Sequence, residues 1–566
     1  MSETESVEIS PAEHSGGDRD RDGLMGLFAH AFEKAAETPI VKDNPIQRRQ
    51  FGLIGDSQLS FADLCVKVSH ISDYVKSVGL KSGDTLLCQL PSTVENIVII
   101  LGALKAGLNV APVPLWWRHG DLDPWITTLQ PQALLTLGKT HLQNHSHRLC
   151  QLAVDHMSIR FIFGLGEELA DGISPLEPVL DGAYPANAMH AEDLSDDIPE
   201  FGHIIFAGSK GQPVFHGISQ LMATAAMHRD ILDLGPQDAL LSCFPLSGLS
   251  GFGGMLFPWL ASGATLHLHH PFDLDDFVAN LGEQKISYTS LPPHLGENLL
   301  KRYGQGRELK HLRKLGFLYH PHQIEASANI PIVSGMEQFN ILNLNEWALP
   351  ICRNCRKETG SGEPPGDVLG PILFNPIKSV GSSLFECRLK GRYRQSHQSS
   401  EANLKGQPIV RGESVGLTRI AAVAEVNNRD EDATFPWTDT DLTCVPSEYS
   451  DHEISFLSPD DVMVTGSVFF EADELDSLYQ SYPGFADIAV FSRIDPVFGQ
   501  KLYAAYVPAE GCQPRIDEFI NFMYARDVSA LKLPNDIFAV KQVPRCSGGQ
   551  VDRAALSKLF EDQRIF

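Results

Sequence analysis

The sequence of 566 residues lacks several features that would assign it to a special class of protein. No run approaches the ~18 apolar residues that a membrane-spanning helix needs, and no apolar segment follows a basic start. The ten cysteines are scattered without a disulfide framework, so we expect a protein of the reducing cytoplasm. Lysine and arginine number 45 against 71 aspartate and glutamate residues, without a dense basic run. Nucleic-acid binding is therefore disfavoured.

The order of apolar segments predicts an α/β protein of more than one domain. A chain of this length exceeds what one hydrophobic core usually serves, and the polar residues 1–22 predict a disordered tail. A buried strand from Thr85 to Leu90, a helix ending at Gly107 and a strand from Val110 to Pro114 form a right-handed βαβ pattern. Residues 131–165 repeat an α/β pattern, and we interpret the histidines in its helix, His141, His145 and His147, as a solvated surface.

A loop with two glycines, Gly208-Ser209-Lys210-Gly211, follows the apolar strand that ends near Ile205. Glycine allows backbone N–H groups to surround an anion closely, so such a loop can hold a phosphate chain. Catalysis at phosphate also needs fixed positive charge. Lys210 supplies one charge within the loop, whereas Val214 at its exit is apolar.

Three segments resemble motifs of the adenylate-forming enzymes, which are the acyl- and aryl-CoA synthetases, peptide-synthetase adenylation domains and firefly luciferase. The loop up to Val214 resembles Thr-Ser-Gly-Ser/Thr-Thr-Gly-x-Pro-Lys. Asn340 to Glu346 resembles Asn-Leu-Tyr-Gly-Pro-Thr-Glu, and Val543 to Arg553 resembles a segment that ends in Ser-Gly-Lys-Val-Asp-Arg. The likeness runs in family order through most of the chain.

The resemblance implies a large N-terminal domain of α/β subdomains and a small C-terminal α/β domain. We expect the first to span residues 23–458 and the second, which is mobile in the family, to span 459–566. Asp461 falls on the family's hinge between the two.

The resemblance also implies a relic of a nucleotide site. Its expected residues are Gly208, Ser209, Lys210, Gly211, Tyr319, Asn345, Glu346 and Asp441. Glu346 stands where the family holds magnesium, which one carboxylate binds well only beside substrate phosphates. Asp441 stands where the family binds ribose, and we expect the bulky Tyr319 to occupy the adenine slot.

Several family groups that handle ATP are replaced. The catalytic lysine has become Gln550 and the loop lysine has become Val214, while Leu342 replaces an adenine-stacking tyrosine and Ser458 replaces an arginine. A neutral amide cannot stabilise developing phosphate charge as an ammonium does. These losses predict weak adenylation.

The leading hypothesis is therefore a degenerate acyl-CoA-synthetase-like protein that has lost ATP-dependent adenylation and needs no cofactor. It would bind an acyl or aryl group, delivered as a thioester of CoA or a carrier protein, or catalyse an ATP-independent acyl transfer, condensation or cyclisation in biosynthesis. Candidate nucleophiles or bases are His216, Ser250, His320 and Cys546, with Gln550 at the position of the catalytic lysine.

Two alternatives remain open. The first is a divergent but active ligase that uses ATP, Mg²⁺ and CoA or a carrier protein, with Lys210 or Lys541 supplying the missing charge. The second is a non-catalytic partner of a synthase. A homodimer or a synthase complex is the expected assembly.

Overall fold

The computed structural model describes residues 23–564 apart from a set of internal segments. These are 34–36, 54, 56, 141–142, 184–200, 209–210, 305, 321–329, 332, 354–385, 395–403, 412, 418–437, 441–442, 448–449, 458–461, 466–467, 496–498 and 547–548. The predicted tail therefore lies outside the described residues, as do Ser209, Lys210, His141, Asp441, Ser458 and Asp461.

The helices alternate with strands through the first half of the chain. They are α1 Gly23–Phe32, α2 Pro45–Arg49, α3 Phe61–Ser77, α4 Val94–Lys105, α5 His119–Leu129, α6 His145–Asp155, α7 Glu177–Leu180, α8 Ile218–Leu232, α9 Leu249–Gly251, α10 Phe257–Ser262, α11 Leu274–Glu283, α12 Pro293–Tyr303, α13 Ala472–Gln480, α14 Ile516–Ala525 and α15 Arg553–Arg564. A π-helical turn joins α9 to α10. Ser60 caps the start of α3, where Ser60 and Asp63 form a reciprocal capping box.

The strands become the main element after residue 310. They are β1 Pro39–Asp43, β2 Gln58–Ser60, β3 Thr85–Gln89, β4 Asn109–Pro112, β5 Ala133–Leu137, β6 Phe161–Leu165, β7 Ser174–Pro175, β8 Ile204–Ala207, β9 Pro213–His216, β10 Ala239–Ser242, β11 Thr265–Leu268, β12 Tyr288–Leu291, β13 Lys314–Tyr319, β14 Glu337–Leu342, β15 Ile351–Arg353, β16 Glu386–Arg394, β17 Leu404–Arg411, β18 Thr438–Asp439, β19 Thr443–Ser447, β20 Ser450–Leu457, β21 Val462–Thr465, β22 Val468–Glu471, β23 Phe485–Asp495, β24 Gly499–Pro508 and β25 Ile537–Ala539.

Two mixed sheets form the N-terminal part of the described structure. One has the order β7-β6-β5-β3-β4-β8-β9 and the other β15-β14-β13-β12-β10-β11-β1-β2. The predicted βαβ unit is confirmed, since β3 and β4 pair in parallel on either side of α4. α3 packs against α4, and the buried residues of both helices belong to one large hydrophobic core.

The chain ends in smaller β units with three helices. β21 and β22 form an antiparallel hairpin, and β23, β24 and β25 form a separate sheet. Its own core includes Leu475, Phe485 and Phe519. This mixed α/β architecture, with a large N-terminal and a small C-terminal part, is the predicted fold class.

The described structure corrects one local interpretation and adds one finding. A solvated surface is wrong for His145, which is only 3% exposed, whereas His147 is exposed as predicted. Burial lowers the pKa of His145 to about 4, helped by the charges of Arg148 and Arg118.

No helix in the described part of the chain is long and apolar enough to cross a membrane.

Candidate active site

A cavity of about 700 Å³ lies where the two N-terminal sheets meet the C-terminal part of the chain. The glycine loop contributes Gly208 and Gly211, which enter the wall after β8 and before β9. The turn after β14 contributes Asn345 and Glu346. The β21–β22 hairpin closes the opposite side. Several residues predicted for a nucleotide site therefore share one cavity.

Aromatic rings form much of the cavity wall. Trp116 packs edge-on against Phe470 of the hairpin, with ring centroids 5.7 Å apart. Trp117 packs in the same way against Trp125, at 6.2 Å. His320 contacts the hairpin, with its ring centroid 4.2 Å from that of Phe469. These rings offer apolar surface to an acyl or aryl group.

Glu346 is held in the cavity wall by two donors. The backbone N–H of Leu249, at the start of α9, donates to one carboxylate oxygen, and Asn343 Nδ2 donates to the other at 2.8 Å. A Cβ on Gly248 would lie 3.3 Å from the carboxylate. The bare glycine therefore leaves room for Glu346. Burial raises the pKa of Glu346, and the two donors oppose this effect.

The turn that carries Glu346 has an uncommon backbone. Asn345 and Glu346 have φ values of 50° and 68°, in the left-handed region that few non-glycine residues adopt. Asn343 Oδ1 accepts from the Glu346 N–H at 2.9 Å, and Asn345 Nδ2 donates to Thr440 O at 3.0 Å. Such strain persists where the surroundings fix it, and it clusters at functional sites.

Ser250 lines the cavity, but its described contact is not that of an activated nucleophile. Its Oγ accepts from Asn343 Nδ2 at 2.9 Å. An activated serine needs a neighbouring base, and an amide cannot serve as one.

His216 does not line the cavity, contrary to what a general base requires. It is fully buried, and its Nε2 lies 2.8 Å from the Glu346 carbonyl oxygen, which makes Nε2 the donor. Burial lowers the pKa of His216 to about 4. A neutral imidazole committed to the backbone fixes the turn of Glu346 instead of moving substrate protons.

Tyr319 is also outside the cavity. It is 2% exposed at the end of β13 and packs in the second hydrophobic core together with Leu342. The expectation that its ring occupies the adenine slot stays a prediction, since a ring that fills a slot is itself buried.

Gln550 and Cys546 lie on the surface of the C-terminal part. Both are exposed and neither lines the cavity. The Cys546 N–H donates to Gln550 O at 2.8 Å, which closes a turn. In this domain arrangement the structure does not bring them together with Ser250 or Glu346.

The charges that line the cavity are mostly negative. The carboxylates are Asp121, Glu346, Glu471 and Glu474, and Lys532 is the one lysine among the described lining residues. Its Nζ lies 2.5 Å from both Asp121 Oδ1 and Glu474 Oε1. Burial lowers the pKa of Lys532, but these two carboxylates raise it further, so the net shift is upward. The described walls therefore offer little spare positive charge to a triphosphate.

Sequence reasoning missed the aromatic wall and Lys532. The adjacent pairs Trp116-Trp117 and Phe469-Phe470 are visible in the sequence, but aromatic residues are as common in hydrophobic cores as at binding surfaces. Lys532 directly precedes a Leu-Pro pair that resembles the family. The pairing of Lys532 with Asp121 joins residues 411 positions apart, which no local pattern reveals.

The described residues fit a bound metal only in part. They contain no group of three or more His, Cys, Asp or Glu residues placed to hold a metal ion. Glu346 provides one carboxylate at the cavity. A single carboxylate suits Mg²⁺ that is bound mainly through phosphate oxygens and water.

Comparisons with known proteins agree with this architecture. Residues 29–340 match the AMP-binding enzyme family. The chain is 21% identical to an oxalate–CoA ligase of Arabidopsis thaliana over 549 residues, which cover 96% of this chain and 99% of that protein. It is also 21% identical to a probable CoA ligase of Humulus lupulus over 528 residues, covering 91% and 94% of the two chains.

Two solved structures share the fold. An amide bond synthetase from Marinactinospora thermotolerans matches 94% of this chain and 99% of its own, with a TM-score of 0.66 and 16% identity. A double mutant of o-succinylbenzoate CoA synthetase from Bacillus subtilis matches 94% and 98%, with a TM-score of 0.64 and 15% identity.

Proposed function

Since this chain belongs to the AMP-binding enzyme family, we propose that it is a divergent ATP-dependent ligase that joins a carboxylic acid to CoA. The observation that carries the proposal is the end-to-end likeness to CoA ligases together with a Glu346 carboxylate held in the cavity beside the glycine loop. The replaced motif residues alone favoured a loss of adenylation, whereas the likeness to CoA ligases along the chain favours an active ligase.

The cavity suits the two halves of such a reaction unequally. In the first half, the acid carboxylate attacks the α-phosphorus of ATP, and the bond to pyrophosphate breaks. In the second half, the CoA thiol loses its proton to solvent and forms a C–S bond with the acyl carbon, and AMP leaves with the electrons of the C–O bond. The aromatic walls serve the acyl group in both halves, whereas the phosphate charge of the first half meets few cations.

The residues of this chain have separate tasks in the first half. The glycine loop would approach the phosphates without a Cβ at Gly208 or Gly211, although the N–H groups of these two residues donate within the loop, to Gln212 O at 2.8 Å and Gly208 O at 3.1 Å. Glu346 would hold Mg²⁺, which shields the phosphate charge. Val214 is fully buried in β9 and cannot replace a lysine. Each missing cationic contact costs about 100- to 1000-fold in rate, so we expect a slow ligase unless Lys210 compensates.

The test is acid-dependent release of pyrophosphate from Mg·ATP by the full chain, with oxalate, short aliphatic acids and aromatic acids offered separately. One acid that stimulates pyrophosphate release and yields its CoA thioester would support the ligase. No stimulation by any acid, with no binding of Mg·ATP up to millimolar concentration in calorimetry, would contradict it.

The location of Gln550 and the negative charge of the cavity favour a second function. Gln550 lies outside the cavity in this arrangement, and the described lining carries four carboxylates and one lysine. A protein with this site would bind a ready-made acyl thioester and transfer its acyl group, without ATP, to a nucleophile of a second substrate, with release of the free thiol. Binding of an acyl-CoA without any response to ATP would favour this function.

A further inference from the structure

Positively charged and basic side chains gather beside the cavity, where α5 and α6 begin. Arg118 directly precedes α5, and His145 and Arg148 lie in the first turn of α6. The side chain of Arg148 is 11% exposed and His145 is 3% exposed. Arg148 Nε and the backbone N–H of His119, the residue after Arg118, donate to the same oxygen of Asp527, and His145 lies one helical turn before Arg148 on α6.

A carboxylate from the C-terminal part now lies in this cluster. Oδ2 of Asp527 accepts from Arg148 Nε at 2.8 Å and from the backbone N–H of His119, the first residue of α5, at 3.2 Å. An anionic oxygen held by a guanidinium and by the first N–H of a helix is the arrangement that proteins use for phosphate.

The cluster has polar atoms that Asp527 does not satisfy. Arg118 Nη1, Arg148 Nη1 and His145 Nδ1 are buried without a hydrogen-bond partner among the described residues. The next carboxylate, Asp121, already accepts from Lys532 Nζ and from the Arg118 N–H. Buried donors are costly when they remain unpaired, and a phosphate offers more acceptor oxygens than one carboxylate.

We propose that Arg118, His145, Arg148 and the N-terminus of α5 bind a phosphate group of the acyl acceptor, and that Asp527 occupies this site when the acceptor is absent. The inference rests on the proposed function, in which the acceptor is CoA, whose nucleotide part carries phosphates. α5 links the site to the reaction chamber, because Gly120 and Pro124 of the same helix line the cavity. The acceptor phosphate displaces Asp527 and loosens the contact between the two parts of the chain.

The experiment is calorimetric titration of the full-length protein with adenosine 3′,5′-bisphosphate at fixed ionic strength. R148Q removes the guanidinium, and we expect affinity to fall about tenfold or more, as for a lost charge-assisted hydrogen bond. D527N removes the competing carboxylate, keeps its shape and should raise affinity several-fold. R160Q is the matched control, because Arg160 pairs on the surface with Asp84, and its affinity should equal that of the wild type.

Equal affinity of R148Q and R160Q, or unchanged affinity of D527N, would overturn the site and leave an interdomain ion pair only. The expected increase in the affinity of D527N cannot be caused by misfolding, because an unfolded variant does not bind more tightly than the wild type. Inorganic phosphate that binds as tightly as the bisphosphate would overturn the assignment to a nucleotide-bearing acceptor. Pyrophosphate release without CoA reports the proposed function separately, since it does not use this site.

Discussion

Replacement of Lys532 by methionine should weaken the contact between the C-terminal part and the N-terminal sheets. Lys532 is 8% exposed and bridges Asp121, on the N-terminal side, to Glu474 of the C-terminal part. Methionine fills a similar volume but removes the ammonium group that neutralises Asp121, whose side chain is 11% exposed and keeps the Arg118 N–H as a donor. Breaking a buried pair in this way costs about 3–5 kcal/mol.

The structure places the expected cost at the lower end of this range. Glu474 is 52% exposed, so water can solvate it after the change, and its share is about 0–1 kcal/mol. We therefore expect a loss of about 3 kcal/mol, which corresponds to roughly 100-fold in the opening equilibrium of the contact. The double change K532M/D121N should cost less than K532M alone, because it removes the orphaned carboxylate.

Hydrogen exchange of the β21–β22 hairpin measures this opening without the assumption of two-state unfolding. K541M is the matched control, since Lys541 is exposed, and its exchange should equal that of the wild type. Equal exchange in K532M and K541M would refute the reasoning. A double variant that opens more readily than K532M would refute the role of the unpaired charge.

Three further predictions concern pH and the carboxylate of the site. Burial and the charge of Glu95 raise the pKa of Asp43 from 3.8 to about 8. Ionisation of this carboxyl group therefore destabilises the fold as pH rises from about 4 to 8. The melting temperature of D43N, relative to that of the wild type, should increase from pH 5 to pH 9. Burial lowers the pKa of His228 from 6.5 to about 4, so stability falls as pH drops through this interval, and H228Q should show a flatter melting profile there. E346Q should reduce acid-dependent pyrophosphate release about 100-fold, while the control E283Q, at an exposed glutamate, should retain it. Equal activity of the two variants would exclude the proposed metal role of Glu346.

Much of the fold could be predicted because its signals are local. The strand at β3, α4 and the strand at β4 follow from apolar runs bounded by turn residues, and the capping box of α3 follows from Ser60 and Asp63. β9 was missed because Pro213 to His216 follows the glycine loop and pairs back on β8. That pairing depends on a hairpin whose central residues carry no strand pattern.

Only the site residues that lie within family motifs could be predicted from the sequence. Gly208, Gly211, Asn345 and Glu346 do line one cavity, as the resemblance implies. The burial of His216 could not be foreseen, because it depends on contact with a carbonyl 130 residues away. The same limit applies to Lys532, whose partners Asp121 and Glu474 are 411 and 58 positions away in the sequence.

The most direct test of the ligase proposal is exchange of labelled pyrophosphate into ATP in the presence of each candidate acid. The account predicts label in ATP with at least one acid, and a greatly reduced signal in E346Q. Absence of exchange with every acid, while an acyl-CoA still binds, would contradict the account and establish ATP-independent acyl binding in its place.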